Sequence, residues 1–193
     1  MAKLRNAIQA MALAATLSSP MGSVRVLAFE LTSPDVPANT LVPAKFTFNG
    51  LGCRGQNVSP ALSWTDPPES TKSFALMVHD PDAKTGGAGI WSWVVVDIPS
   101  SARSIDEGAG TLDGGMLPKG SRQITNDYFG LTNSPGWGGP CPPPGESHQY
   151  NFTLYALKVD KLAVPQNATA SQVGFVVNLL ALDKAKLTMI YGR

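Results

Sequence analysis

Two short, almost unbroken apolar runs limit what this chain can fold into. They are Ser73–His79 (SFALMVH) and Trp91–Ile98 (WSWVVVDI). At seven and eight residues they suit strands better than helices, and the second is β-branched and aromatic. A strand that is apolar at every position must be covered on both faces. The two runs therefore predict central strands with a layer packed on each side. Tyr150 to Val159 predicts a third strong strand, and Phe29–Thr32 an edge strand opening the fold. Phe46-Thr47-Phe48 reads as a strand ending in the turn pair Asn49-Gly50, and Ala61–Trp64 as another short strand. Residues 99–137 are too long for a structureless loop and are expected to hide short strands. Ser171 is the expected cap of a helix carrying Val173, Val176, Val177 and Leu180 at helical spacing. Ala185, Leu187, Met189 and Tyr191 then alternate as a last, half-buried strand. The predicted class is all-β with minor α: a β-sandwich with one C-terminal helix.

Composition agrees with that class. Charged residues make up only 15%, against 19 glycines and 16 prolines, which favours a loop-rich β protein over a helical bundle. The N-terminus has the pattern of an export leader over residues 1–28: Lys3 and Arg5, an apolar run from Ala7 to Leu17, Pro20, then Val26-Leu27-Ala28. This leaves one domain over 29–193 and predicts a periplasmic or secreted protein. Residues 1–28 hold three of the 15 basic residues and none of the 14 acidic ones, leaving 12 basic against 14 acidic. Such a chain is poorly suited to nucleic acid. Cys53 and Cys141 both lie in glycine-rich loops, and in an exporting context they predict one disulfide.

The chemistry concentrates in Gly138–Tyr150 (GGPCPPPGESHQY), with four prolines, Cys141, His148 and Tyr150. Pro142-Pro143-Pro144 should form a stiff wall that donates no hydrogen bond. Gly138 and Gly139 are candidates to offer main-chain N–H groups to an anion. Alternation along the following strand puts His148 and Tyr150 on one face with Phe152 and Leu154. A proline-rich surface loop that merely leads into a strand would read the same way. Asp80-Pro81-Asp82, at the end of the first apolar run, has two readings as well: ordinary turn chemistry facing water, or a pair of site carboxylates. His79 fits a packed strand residue better than a ligand.

The nucleophile elbow, the phosphate-binding P-loop, the zinc-protease helix and the paired-cysteine motifs are all missing. With His79 and His148 alone, a zinc site of several imidazoles is ruled out, and neither metal nor cofactor is expected.

Taken in order, Asn57-Val58-Ser59-Pro60, Ser73–Val78, Asp80–Ala83, Trp91–Val96, Gly139–Tyr150 and Tyr155-Ala156-Leu157 resemble the phosphatidylethanolamine-binding protein family, in particular its bacterial Raf kinase inhibitor-like branch. The resemblance spans about residues 29 to 193. It implies a sandwich of two antiparallel sheets with a small anion pocket holding Asp80, Asp82, Gly139, Pro143, His148 and Tyr150. Ser92 occupies the pocket position where the family usually has a second histidine. Lys84 stands where the acidic turn usually continues in proline, and Gln149 where the family has arginine. Loss of a histidine donor implies weaker anion binding.

Three functions remain in view. The first is a non-enzymatic exported binding protein for a small phosphorylated ligand or phospholipid head group, modulating or inhibiting a protein partner. The second is a hydrolase using Ser92, His148 and Asp80 as a triad. The third is a secreted interaction module with a vestigial pocket. A protein at the pocket rim and a second copy of the chain are the macromolecular partners considered.

Overall fold

The computed structural model describes residues 27–128 and 135–193. The expected leader lies outside the described residues but for Leu27 and Ala28. Strands β1 (Glu30–Thr32), β4 (Leu62–Thr65) and β7 (Ser104–Ile105) form one antiparallel sheet in the order β1-β4-β7. The larger sheet contains β5 (Ser73–Asp80), β6 (Ile90–Pro99), β8 (Arg122–Ile124), β9 (Ser147–Leu157) and β10 (Ala181–Gly192). Its order is β10-β9-β5-β6-β8, antiparallel throughout. The two apolar runs are indeed neighbours at its centre, and β5 is buried along nearly its whole length.

Both faces of this sheet are covered. Phe74, Leu76, Val78, Trp93, Val95, Phe152 and Leu154 point into a core shared with Leu31, Leu62 and Trp64 of the small sheet. Ala75, Met77, Val94, Val96 and Tyr155 point the other way, onto Val173 and Val177 of helix α1 (Ala170–Leu180). Alternation thus sends successive residues of one run into two separate cores. Among the described residues, the short strands expected within 99–137 are β7 and β8.

Three local expectations need correction. Phe46-Thr47-Phe48 is not a strand: Ala44–Phe46 is a turn of 3-10 helix after Pro43. Phe46 enters the inter-sheet core, whereas Phe48 packs on Cys53 and Tyr128. Asn49-Gly50 is not the turn itself but strand β2, paired with β3 (Cys53-Arg54). Leu51 and Gly52 make the turn, both with positive φ (53° and 82°), the geometry a tight hairpin requires. Finally, Thr169, not Ser171, caps α1. Its hydroxyl accepts from Gln172 N, and the Gln172 side chain accepts from Thr169 N, a complete capping box.

Cys53 and Cys141 are joined as a disulfide, closing 88 residues of sequence. Arg193 reinforces the same junction. Its guanidinium donates to Pro142 O at 2.7 Å and to Leu51 O at 3.3 Å. The hairpin turn, the proline wall and the C-terminus are thereby tied together.

Candidate functional site

The site forms where β5 ends and β9 begins. β5 delivers Asp80 to the rim, and Pro81 turns the chain out of the sheet. Asp80 Oδ1 accepts the N–H groups of Asp82 and Ala83 at 3.0 and 3.1 Å, closing the turn. Asp80 Oδ2 reaches across to His148 Nδ1 at 2.8 Å. Asp82 also reaches β9, its Oδ2 accepting from Gln149 N at 2.7 Å. The two carboxylates of the acidic turn therefore hold the start of β9 in place.

The proline wall ends in a second turn. Pro143 O accepts Glu146 N at 3.1 Å, with Pro144 and Gly145 between them. Gly145 has φ of 82°, and proline followed by glycine at these positions marks a type II turn. This turn delivers Glu146 to His148. Glu146 Oε2 lies 3.2 Å from His148 Nε2, and Glu146 Oε1 lies 2.6 Å from Lys84 Nζ. Asp82, Lys84, Glu146, His148 and Ile190 line a recess of about 530 Å³.

His148 is buried, with a carboxylate on each ring nitrogen. Ionised carboxylates only accept, so both bonds form together only when both nitrogens carry hydrogen, as in the imidazolium. Burial alone would pull its pKa down. The bonds to Asp80 and Glu146, with the charge of Asp82 behind them, outweigh burial and raise it. Glu146 is held below the ordinary carboxylate value by its bond to Lys84 first and by His148 second.

Among the expected site residues, Asp80, Asp82 and His148 converge. Tyr150 follows two residues along the same strand; it is fully buried, and its hydroxyl lacks a hydrogen bond of ordinary geometry to any described residue. Burial and the nearby Asp80 carboxylate push its pKa far up. Pro143 is exposed at the start of the type II turn.

Gly138 and Gly139 depart from expectation, because their N–H groups are already used. Gly138 N donates to Ser92 O at 2.9 Å and Gly139 N to Asn57 Oδ1 at 2.8 Å. Their lack of a side chain serves packing: a Cβ at 138 would strike the Tyr128 ring, and one at 139 the backbone of Phe46–Phe48. No anion nest is formed by this pair. Ser92 is the bulged residue of β6, left over where Val78 pairs with Trp93 and His79 with Trp91. Its hydroxyl is buried and has no hydrogen-bond partner among the described residues, while both ring nitrogens of His148 are bonded to carboxylates. The Ser92/His148/Asp80 triad is therefore not assembled.

His79 stacks on Trp91 with ring centroids 4.1 Å apart and bonds Ala88 O, as a packed strand residue does. Two contributors were not anticipated. Glu146 carried a signal, since strict alternation puts it on the face of His148 and Tyr150. Tyr128 carried none: it packs on Phe48, and burial together with the nearby Asp80 carboxylate raises its pKa. Among the described residues no group of three or more histidine, cysteine or acidic side chains is arranged to hold a metal ion.

The comparisons agree with this architecture. The profile of the family described as "Phosphatidylethanolamine-binding protein" matches residues 32–192. YbcL of Escherichia coli K12, described as a UPF0098 protein, is 41% identical over 170 residues, covering 88% of this chain and 90% of that protein. YbhB of the same organism is 40% identical, covering 84% of this chain and 99% of its own. The crystal structure of YbcL, presented as a new member of the mammalian PEBP family, superposes with a TM-score of 0.80 at 40% identity, over 86% of this chain and 98% of that one. The homologue CT736 of Chlamydia trachomatis superposes at 0.70 with 27% identity over the same shares. With its profile matched almost from β1 to the C-terminus and its sheets overlaying those relatives, the chain belongs to the phosphatidylethanolamine-binding protein family.

Proposed function

We propose that this protein acts by binding a small phosphorylated amine at the His148 end of β9, as a free compound or as a phospholipid head group. The observation that carries this reading is the placement of an anion between two cations: the Glu146 carboxylate bridges His148 and Lys84. An imidazolium and an ammonium so placed suit phosphoryl oxygens, with charge-assisted bonds on both sides. Lys84 thus takes over part of the positive charge lost with Ser92. The carboxylates Asp80 and Asp82 disfavour a bare dianion and favour a ligand that brings its own ammonium. A zwitterionic phosphorylethanolamine group meets both demands.

Ser92 supports binding over acyl transfer, because a nucleophile without its base is not activated. The disulfide and the basic, then apolar, N-terminus support action in an oxidising compartment, periplasmic or extracellular. Modulation of a protein partner at the rim belongs to the same proposal.

Calorimetry with O-phosphorylethanolamine tests the reading. The wild type should give saturable heat at millimolar ligand or below, and His148→Ala should give none. Absence of heat with any phosphorylated amine, in a wild type that is folded and disulfide-bonded, would remove the ligand assignment and leave the vestigial-pocket reading.

A further inference from the structure

We infer that Glu146 is a tethered occupant of the anion position, and that the recess selects its ligand by exchanging this carboxylate for a phosphoryl group. The inference rests on the phosphate reading above and adds a selecting residue to it.

The bonding pattern separates what is fixed from what can leave. Asp80 uses both oxygens in three bonds, to Asp82 N, Ala83 N and His148 Nδ1. Withdrawing Asp80 would open the turn as well as free the ring. Among the described residues Glu146 makes two side-chain bonds, one to each cation, and the bond to His148 is long at 3.2 Å against 2.8 Å for Asp80. Its backbone is anchored by Pro143 O and by Arg193 N, while its side chain stays 27% exposed. The main chain is therefore fixed, and the carboxylate can swing outward by χ rotation alone.

The geometry of exchange follows. The two oxygens of a carboxylate and two oxygens of a phosphoryl group span similar distances, so one replaces the other between Lys84 Nζ and His148 Nε2. Glu146, once displaced, becomes a free carboxylate beside Asp82 at the mouth of the recess. A ligand carrying an ammonium restores a partner to it, and inorganic phosphate does not. Competition from Glu146 therefore penalises simple anions more than phosphorylated amines.

The test compares inorganic phosphate with O-phosphorylethanolamine on the disulfide-bonded wild type, Glu146→Gln and Glu146→Ala. Gln keeps the shape and removes the charge, so a folding defect in one variant is checked by the other. Wild type should prefer the phosphorylated amine. Both variants should bind inorganic phosphate about tenfold more tightly than wild type, the scale of one charge-assisted bond released from competition. The preference for the amine should shrink accordingly. Lys84→Met added to Glu146→Gln should reverse the gain, since the phosphate would lose one of its two cations. If wild type binds and neither variant binds phosphate more tightly, the exchange is wrong and the phosphate reading stands. If no form binds either compound, both are wrong.

Discussion

Asp80 Oδ2 lies 2.8 Å from His148 Nδ1, joining the last residue of β5 to the second residue of β9. Both side chains are buried, so this bond fixes which ring nitrogen faces inward. Asp80→Asn should lower the His148 pKa, because it removes an inner carboxylate that favours the imidazolium. It should also cost about 1.5–3 kcal/mol, the range for a hydrogen bond to a charged group. Ring-proton titration by NMR and urea unfolding check the two effects separately. An unchanged His148 titration would show that Asp80 does not hold the ring.

The pH dependence has a definite sign. The His148 pKa is raised in the folded state. Its contribution to stability is thus complete below the ordinary imidazole value of about 6.5 and is lost as pH rises through the folded value. The Glu146 pKa is depressed, so its contribution is present above the ordinary carboxylate value and is lost as pH falls through the folded one. Phosphorylethanolamine affinity should accordingly fall as pH rises past the folded His148 value. Calorimetry across the neutral range measures this, and affinity that climbs with pH there would contradict an imidazolium in the site.

The central sheet was legible because burial on both faces leaves an unbroken apolar run, a one-dimensional signal. The stretch around Phe46 was not. Its apolar-polar-apolar alternation comes from two phenylalanines entering different clusters across a bend, and alternation cannot tell that from a strand. The capping box was written in the sequence as Thr169 and Gln172, but Ser171 offered a competing cap close by. In the site, Asp80 and His148 could be found because each sits at a strand end, Asp80 directly before Pro81 and His148 four residues after the proline run. The part played by the glycine N–H groups could not. Their partners, Ser92 O and Asn57 Oδ1, come from residues 46 and 82 positions away, and only the folded chain brings them in.

The disulfide should be a major source of stability. In the chain-entropy model, closing a loop of 88 residues contributes about 4 kcal/mol. Cys53→Ser with Cys141→Ser should lower the unfolding free energy by that order, read from urea denaturation with and without reductant. A thiol count on the native protein should find no free thiol until reductant is added. Two titratable thiols in the native state would contradict the pairing.

Asn57 should be sensitive out of proportion to its size. Its amide donates to Trp137 O at 2.9 Å and accepts from Gly139 N at 2.8 Å, clamping the segment that carries the proline wall. It also has φ of 53°, a left-handed conformation that asparagine tolerates better than most residues. Asn57→Ala loses both bonds and keeps the strain, at a cost of about 3 kcal/mol. Asn57→Gly relieves the strain and should cost about 1 kcal/mol less. Thermal unfolding of the two variants compares them directly, and equal losses would show that the conformation is unstrained.

On the far side of the sheet, Asp97 and Arg122 should respond unequally. Arg122 Nε donates to Asp97 Oδ2 at 2.7 Å, and the carboxylate is 3% exposed against 31% for the arginine. Asp97 Oδ1 also accepts Leu162 N at 2.8 Å, so the carboxylate holds the loop leading to α1. Arg122→Met leaves a buried charge with one neutral donor and should cost about 3–5 kcal/mol. Asp97→Asn keeps an acceptor, suits the residue's φ of 59°, and leaves behind an arginine that water can reach. It should cost about half as much. The double variant should be less destabilised than the sum of the two, because removing both charges leaves neither stranded. Urea denaturation of the three variants measures the cycle. A larger loss for Asp97→Asn than for Arg122→Met would mean that the loop bond, not the stranded charge, governs this corner of the fold.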